Sequence, residues 1–204
     1  VFPDSSQLQA RIEEMDEAKR QAMLMDLDYY GLEEAVFPPP SEPSSPWIER
    51  AEFSSGPEMA TGRAGFGAAL SGRRLFVFGG YGYDGTRQRL NTTEILDLET
   101  MSFARGPNMG SIRYGCAAIA IDERRILVVG GRDGGRALNT TEILDVGTMT
   151  FTPGPNMREA RYEHALVVLE SPRRVLVVGG YAGGNVLATT ELLDLETMTF
   201  TQGR

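Results

Sequence analysis

Along the chain, the spacing of hydrophobic and polar positions changes character near residue 50. Before it, Leu8, Ile12 and Met15 fall on one face at helical spacing, and Met23, Leu24 and Leu27 continue as a second run. Ser6 with Gln9 makes a capping box, and Gly31 supplies a helix end. Pro38, Pro39 and Pro40 stop any helix because proline has no N–H to donate. The pattern predicts a helical segment over residues 1–37 and a stiff Pro/Ser linker over 38–50. Beyond it, residues 75–78, 126–129 and 175–178 are apolar at successive positions, as strands buried on both faces are.

These apolar runs belong to a repeat. A Gly pair ends each one, at Gly79 and Gly80, Gly130 and Gly131, and Gly179 and Gly180. Gly-rich turns are expected next, in "YGYDGTRQR", "RDGGRA" and "YAGGNV". A Thr-Thr-Glu triplet then opens another strand, with its glutamate at Glu94, Glu142 and Glu191. That strand ends in a turn started by Asp97, Asp145 or Asp194. Short outer strands follow around Phe103, Phe151 and Phe200. The stretches "AGFGAALS", "YGCAAIAI" and "YEHALVVL" supply a fourth, small-residue strand per unit, placed nearest a central axis. Equivalent positions recur every 48 to 51 residues.

Four short strands in units of this length predict propeller blades. The Gly pair and the spacing of Leu96 to Phe103, Leu144 to Phe151 and Leu193 to Phe200 resemble the kelch family. That family usually has Tyr and Trp where this chain has Leu and Phe; the substitutes are apolar and fill the same space between sheets. The expected fold is all-β, a kelch-type β-propeller fragment. Its three four-stranded blades cover about 53–103, 104–151 and 152–200, and a fourth begins at the closing "TQGR". Three blades are too few for a ring, so further blades are expected C-terminal to this stretch, and the absent initiator Met suggests a piece of a longer protein.

Charge divides the chain at the same place. Residues 1–50 hold eleven Asp/Glu against four Lys/Arg, and residues 51–204 hold seventeen against sixteen. Neither part has the basic stripe that phosphate backbones require, so no nucleic-acid partner is expected. No apolar run is long enough to span a bilayer, so no membrane partner is expected either. A single cysteine, Cys116, fits a reducing compartment and a cytoplasmic location. The stretch "LMDLDYYGLEEAV" at 24–36 resembles the end of BTB domains of the potassium-channel tetramerisation type. It also reads as a plain helical spacer. A BTB-like end, a linker and kelch blades in that order resemble substrate adaptors of cullin-based ubiquitin ligases. The resemblance implies a protein or peptide partner, with cullin contact and self-association through the N-terminal part.

Candidate chemistry is sparse. His164 is the only histidine, and with Cys116 it cannot build the usual transition-metal site. No phosphate loop or nucleophile elbow is present, so no cofactor, metal or catalytic residue is expected. Glu94, Glu142 and Glu191 recur identically, which predicts hydrogen bonds to backbone or pairs with the recurring arginines. Asn91 and Asn139 match the glycosylation pattern. Positions that differ between blades carry more information. Tyr81, Arg132 and Tyr181 follow the Gly pairs, at a position that often faces the partner in kelch adaptors. Tyr83, Asp84, Asp133, Arg136 and Asn185 decorate the same loops. Arg63, Arg113 and Arg161 stand at the entrance of the inner strands, beside Tyr114 and Tyr162. An Arg/Tyr ring there suits an acidic or polar peptide; alternatively, these arginines only tie blades together. Three functions remain open: the ligase adaptor, a cytoskeletal or signalling scaffold, and a propeller enzyme with its catalytic groups in other blades.

Overall fold

The computed structural model describes residues 54–83, 88–170 and 173–203. The helical segment, the linker, the BTB-like stretch and Asp84 lie outside the described residues.

Three antiparallel four-stranded sheets form three blades. The first holds β2 (Gly67–Ser71), β3 (Arg74–Phe78), β5 (Thr93–Asp97) and β6 (Ser102–Arg105), hydrogen-bonded in that order. The second holds β7 (Ala117–Ala120), β8 (Arg125–Val129), β9 (Thr141–Asp145) and β10 (Thr150–Pro153). The third holds β11 (Ala165–Glu170), β12 (Arg173–Val178), β15 (Thr190–Asp194) and β16 (Thr199–Gln202). Two short ribbons accompany them: β1 (Arg63–Ala64) pairs with β4 (Tyr81–Gly82), and β13 (Tyr181–Ala182) with β14 (Asn185–Val186).

The period-two alternation of each strand sends neighbouring side chains to opposite flanks of its blade. Phe76, Phe78 and Ile95 of the first blade pack against Ile126, Val128 and Leu144 of the second. Leu127 and Val129 of the second pack against Val175, Val177 and Leu193 of the third. Each fully buried aliphatic or aromatic side chain contributes about 1.5–3 kcal/mol, so these two seams hold the fold together. The expectation of doubly buried central strands holds in β3 and β8 but not in β12, where Val178 is 38% exposed. A second blade covers only one face of that strand.

The expected aspartate turns close each third-to-fourth-strand hairpin. Asp97 accepts hydrogen bonds from the Glu99 and Thr100 N–H groups at 2.8 and 2.9 Å, and Asp145 and Asp194 repeat the arrangement. These backbone donors, the Thr100 N–H first, hold the Asp97 carboxyl below its ordinary range. The loop "YAGGNV", expected as a plain turn, is instead the hairpin β13–β14. Gly183 and Gly184 there have φ of 55° and 86°, the left-handed pair that a two-residue type I′ turn requires.

A strip of tyrosine and arginine across the blades

After each Gly pair the chain turns back to pair with the residue that follows the recurring arginine. Ala64 pairs with Tyr81, Tyr114 with Arg132, and Tyr162 with Tyr181. The Gly pair is needed for close approach: a Cβ on Gly79 or Gly130 would lie 2.3 or 2.4 Å from the carbonyl of Arg113 or Arg161. Tyr81 and Arg132 each reach from their own blade to the next. The Tyr81 and Tyr114 rings meet edge to face at 6.1 Å, and Tyr162 stacks on Tyr181 at 5.6 Å. Arg132 places its guanidinium over the Tyr162 ring, 5.7 Å from the centroid. Tyr81, Tyr114, Arg132, Tyr162 and Tyr181 therefore form one continuous strip spanning three blades, each side chain partly open to solvent.

Arg132 differs from Arg63, Arg113 and Arg161, each of which pairs with a glutamate. Among the described residues, no carboxylate lies within ion-pair distance of its guanidinium. Tyr83, Arg136 and Asn185 are exposed on the same loops, but no stacking contact joins any of them to the strip. Arg136 lies 3.7 Å from Asp133 in a surface pair.

For Arg63, Arg113 and Arg161 two readings stood open, contact with a partner and tying blades together, and their surroundings are those of the second. Their side chains are 0–1% exposed. Arg113 donates to the carbonyls of Gly130 and Thr140 at 2.7 and 2.9 Å, and to Glu142 at 3.0 Å. Arg63 makes the equivalent bonds to Gly79, Thr92 and Glu94, and Arg161 to Gly179, Thr189 and Glu191. The Arg113 backbone meanwhile bonds Gly80 and Leu90 of the first blade, so one residue joins two blades. Glu142 also accepts the Gly110 and Ser111 N–H groups, and Glu94 and Glu191 do the same in their blades. These buried guanidinium groups spend most of their donors inside the blades, while Nε of Arg63 and of Arg161 is buried without a hydrogen-bond partner. The glutamates take the backbone and arginine partners expected of them. Asn91 and Asn139 likewise donate their amides to the carbonyls of Met109 and Met157 at 3.0 and 3.1 Å.

Glu163 is a residue that reasoning from the sequence missed. It stands where the other blades have Gly65 and Gly115, with φ of 54° beside their 61° and 65°. A bulky residue there is strained, and such outliers gather at functional positions. Its carboxylate accepts the Tyr114 hydroxyl at 3.3 Å. Burial, then the charge of Glu163, raises the Tyr114 pKa. Register alone carried this signal, since two blades have glycine and one does not.

His164 is buried with both ring nitrogens unpartnered, and burial, then the Arg161 charge, lowers its pKa to about 4. Burial likewise raises the Cys116 thiol to about 11. Among the described residues, no group of three or more His, Cys, Asp or Glu side chains is placed to hold a metal.

Stacked four-stranded blades joined by Gly-pair turns define a kelch-type β-propeller unit, a module for binding proteins. The KLHDC2/KLHL20/DRC7 Kelch-repeats domain matches residues 51–204, and the chain belongs to that kelch-repeat family. No curated protein matches it.

Proposed function

We propose that the Tyr81–Tyr114–Arg132–Tyr162–Tyr181 strip is the partner-binding face, and that the chain is the substrate-receptor part of a BTB–kelch adaptor for a cullin-based ubiquitin ligase. One observation carries the binding face: Arg132 lies half-open against Tyr162 with no acidic partner among the described residues, while the buried arginines each have a glutamate. An acidic residue of a bound peptide supplies the missing charge. The tyrosines give it rigid, amphipathic contact area at low conformational cost. Glu163, at the Tyr114 end of the contact, favours a donor group elsewhere on the same peptide. The adaptor role rests on the resemblance of residues 24–36 to a BTB ending.

Affinity purification of tagged wild-type chain and of Arg132→Ala, with quantitative mass spectrometry, tests both parts. The expected result is loss of a discrete set of proteins from Arg132→Ala while a cullin stays bound to both. Unchanged capture by Arg132→Ala would refute the face. Partner capture without any cullin would turn the adaptor into a scaffold.

A further inference from the structure

Two residues after the recurring arginine, the first two blades have Gly65 and Gly115 and the third has Glu163. Backbone bonds chain these three residues across the blades. The Gly115 N–H donates to the Gly65 carbonyl at 2.7 Å, and the Glu163 N–H to the Gly115 carbonyl at 2.7 Å. Glu163 is thereby held in the left-handed conformation of the glycines, at a cost that glycine would not incur. Gly115 in turn makes room for the glutamate: a Cβ there would lie 3.2 Å from Glu163 Cγ. The carboxylate lies back toward the second blade, on the Tyr114 hydroxyl.

Tyr114 is also the backbone partner of Arg132. Its N–H donates to the Arg132 carbonyl at 3.0 Å, and the Arg132 N–H returns a bond at 2.7 Å. Both charges reach its phenol: burial, then the Glu163 charge, raises the Tyr114 pKa, and the Arg132 charge opposes them. Yet Arg132 and Glu163 form no ion pair with each other, and among the described residues neither has another partner of opposite charge. The guanidinium rests on the Tyr162 ring and the carboxylate takes a phenol proton donor. A cation and an anion therefore stand near one tyrosine, held apart by backbone bonds that lie wholly within the described blades.

We propose, on the reading that the strip is the partner-binding face, that it recognises a dipolar segment: an acidic side chain for Arg132 and, one or two residues away, a lysine or arginine for Glu163. Side chains two residues apart in an extended segment share one face, about 7 Å from each other, and so can address two neighbouring side chains of this scaffold. A segment with two acids brings one of them against Glu163, and like charges in contact are costly. Glu163 is thus a specificity-determining residue that rejects purely acidic segments as well as attracting mixed ones.

Selection from a random peptide phage library with the 204-residue chain, Arg132→Ala and Glu163→Gly tests this. Wild type is expected to enrich peptides with an acid and a base one or two residues apart. Replacing that base by glutamate in a selected peptide should weaken binding to wild type by roughly tenfold or more. The same replacement should matter little to Glu163→Gly, which keeps the acid requirement and loses the basic one. Enrichment of acids without a neighbouring base, or the same peptides from wild type and Glu163→Gly, would overturn this inference and leave the binding face standing. No enrichment, or the same peptides from Arg132→Ala, would refute the face itself and the inference with it.

Discussion

Two sets of equivalent positions lie a few residues apart in each blade and were built to opposite rules. At one, the chain places Arg63, Arg113 and Arg161, all buried, each bonded to a glutamate and two carbonyls. At the other it places Tyr81, Arg132 and Tyr181, all partly open, against the rings of Tyr114 and Tyr162. A fold made of repeats needs the same staple in every blade, so the staple repeats. A partner is a single asymmetric object, so the surface that meets it has no reason to repeat. Identity between blades marks stability here, and difference marks the strip proposed to meet a partner.

The comparison breaks most visibly at a staple. Arg113→Met leaves Glu142 buried without its cation and the Gly130 and Thr140 carbonyls without their donor. It is expected to cost about 3–5 kcal/mol in chemical denaturation, against under 0.5 kcal/mol for Arg124→Ala in the exposed pair with Asp145. His164 comes next. Its folded pKa, about 4, lies below the ordinary 6.5, so between those values the unfolded chain binds a proton that the folded chain refuses. Its contribution is complete above pH 6.5 and declines as pH falls to about 4, by on the order of 3 kcal/mol. The aspartate turns, with lowered pKa values, lose their share only below the usual 3.8. His164→Cys, which installs the residue found in the second blade, should flatten the upper window and leave the lower one. Denaturation midpoints between pH 3 and 8 would show it. Smaller and opposite in sign, Glu163→Gly removes left-handed strain and is expected to stabilise by about 0.5–1 kcal/mol. It should also bring the Tyr114 pKa down, which ultraviolet titration of the phenol measures.

Much of the fold was legible because three copies vote on each feature. The Gly pairs, the aspartate turns and the third-strand glutamates each stand in register three times, so strand order and blade count followed from spacing. One feature went unread although its signal was present: two glycines between Ala182 and Asn185 are the mark of a tight hairpin. The exposed face of β12 was not readable, because an apolar run predicts burial on both sides without saying what covers it. At the candidate site, sequence placed Tyr81, Arg132 and Tyr181 on equivalent loops, but their contacts depend on how one blade sits against the next. That an arginine points inward to a glutamate about 30 residues away is likewise a matter of register between strands, not of local pattern.

The most direct test makes the variable set uniform. Arg132→Tyr gives all three blades tyrosine after the Gly pair and removes the strip's one cation, which has no acidic partner among the described residues. Stability in chemical denaturation is expected to stay within about 0.5 kcal/mol of wild type, while partner capture from cell extract is lost. Capture at the wild-type level, or a stability loss as large as that of Arg113→Met, would contradict the division between staple and recognition strip.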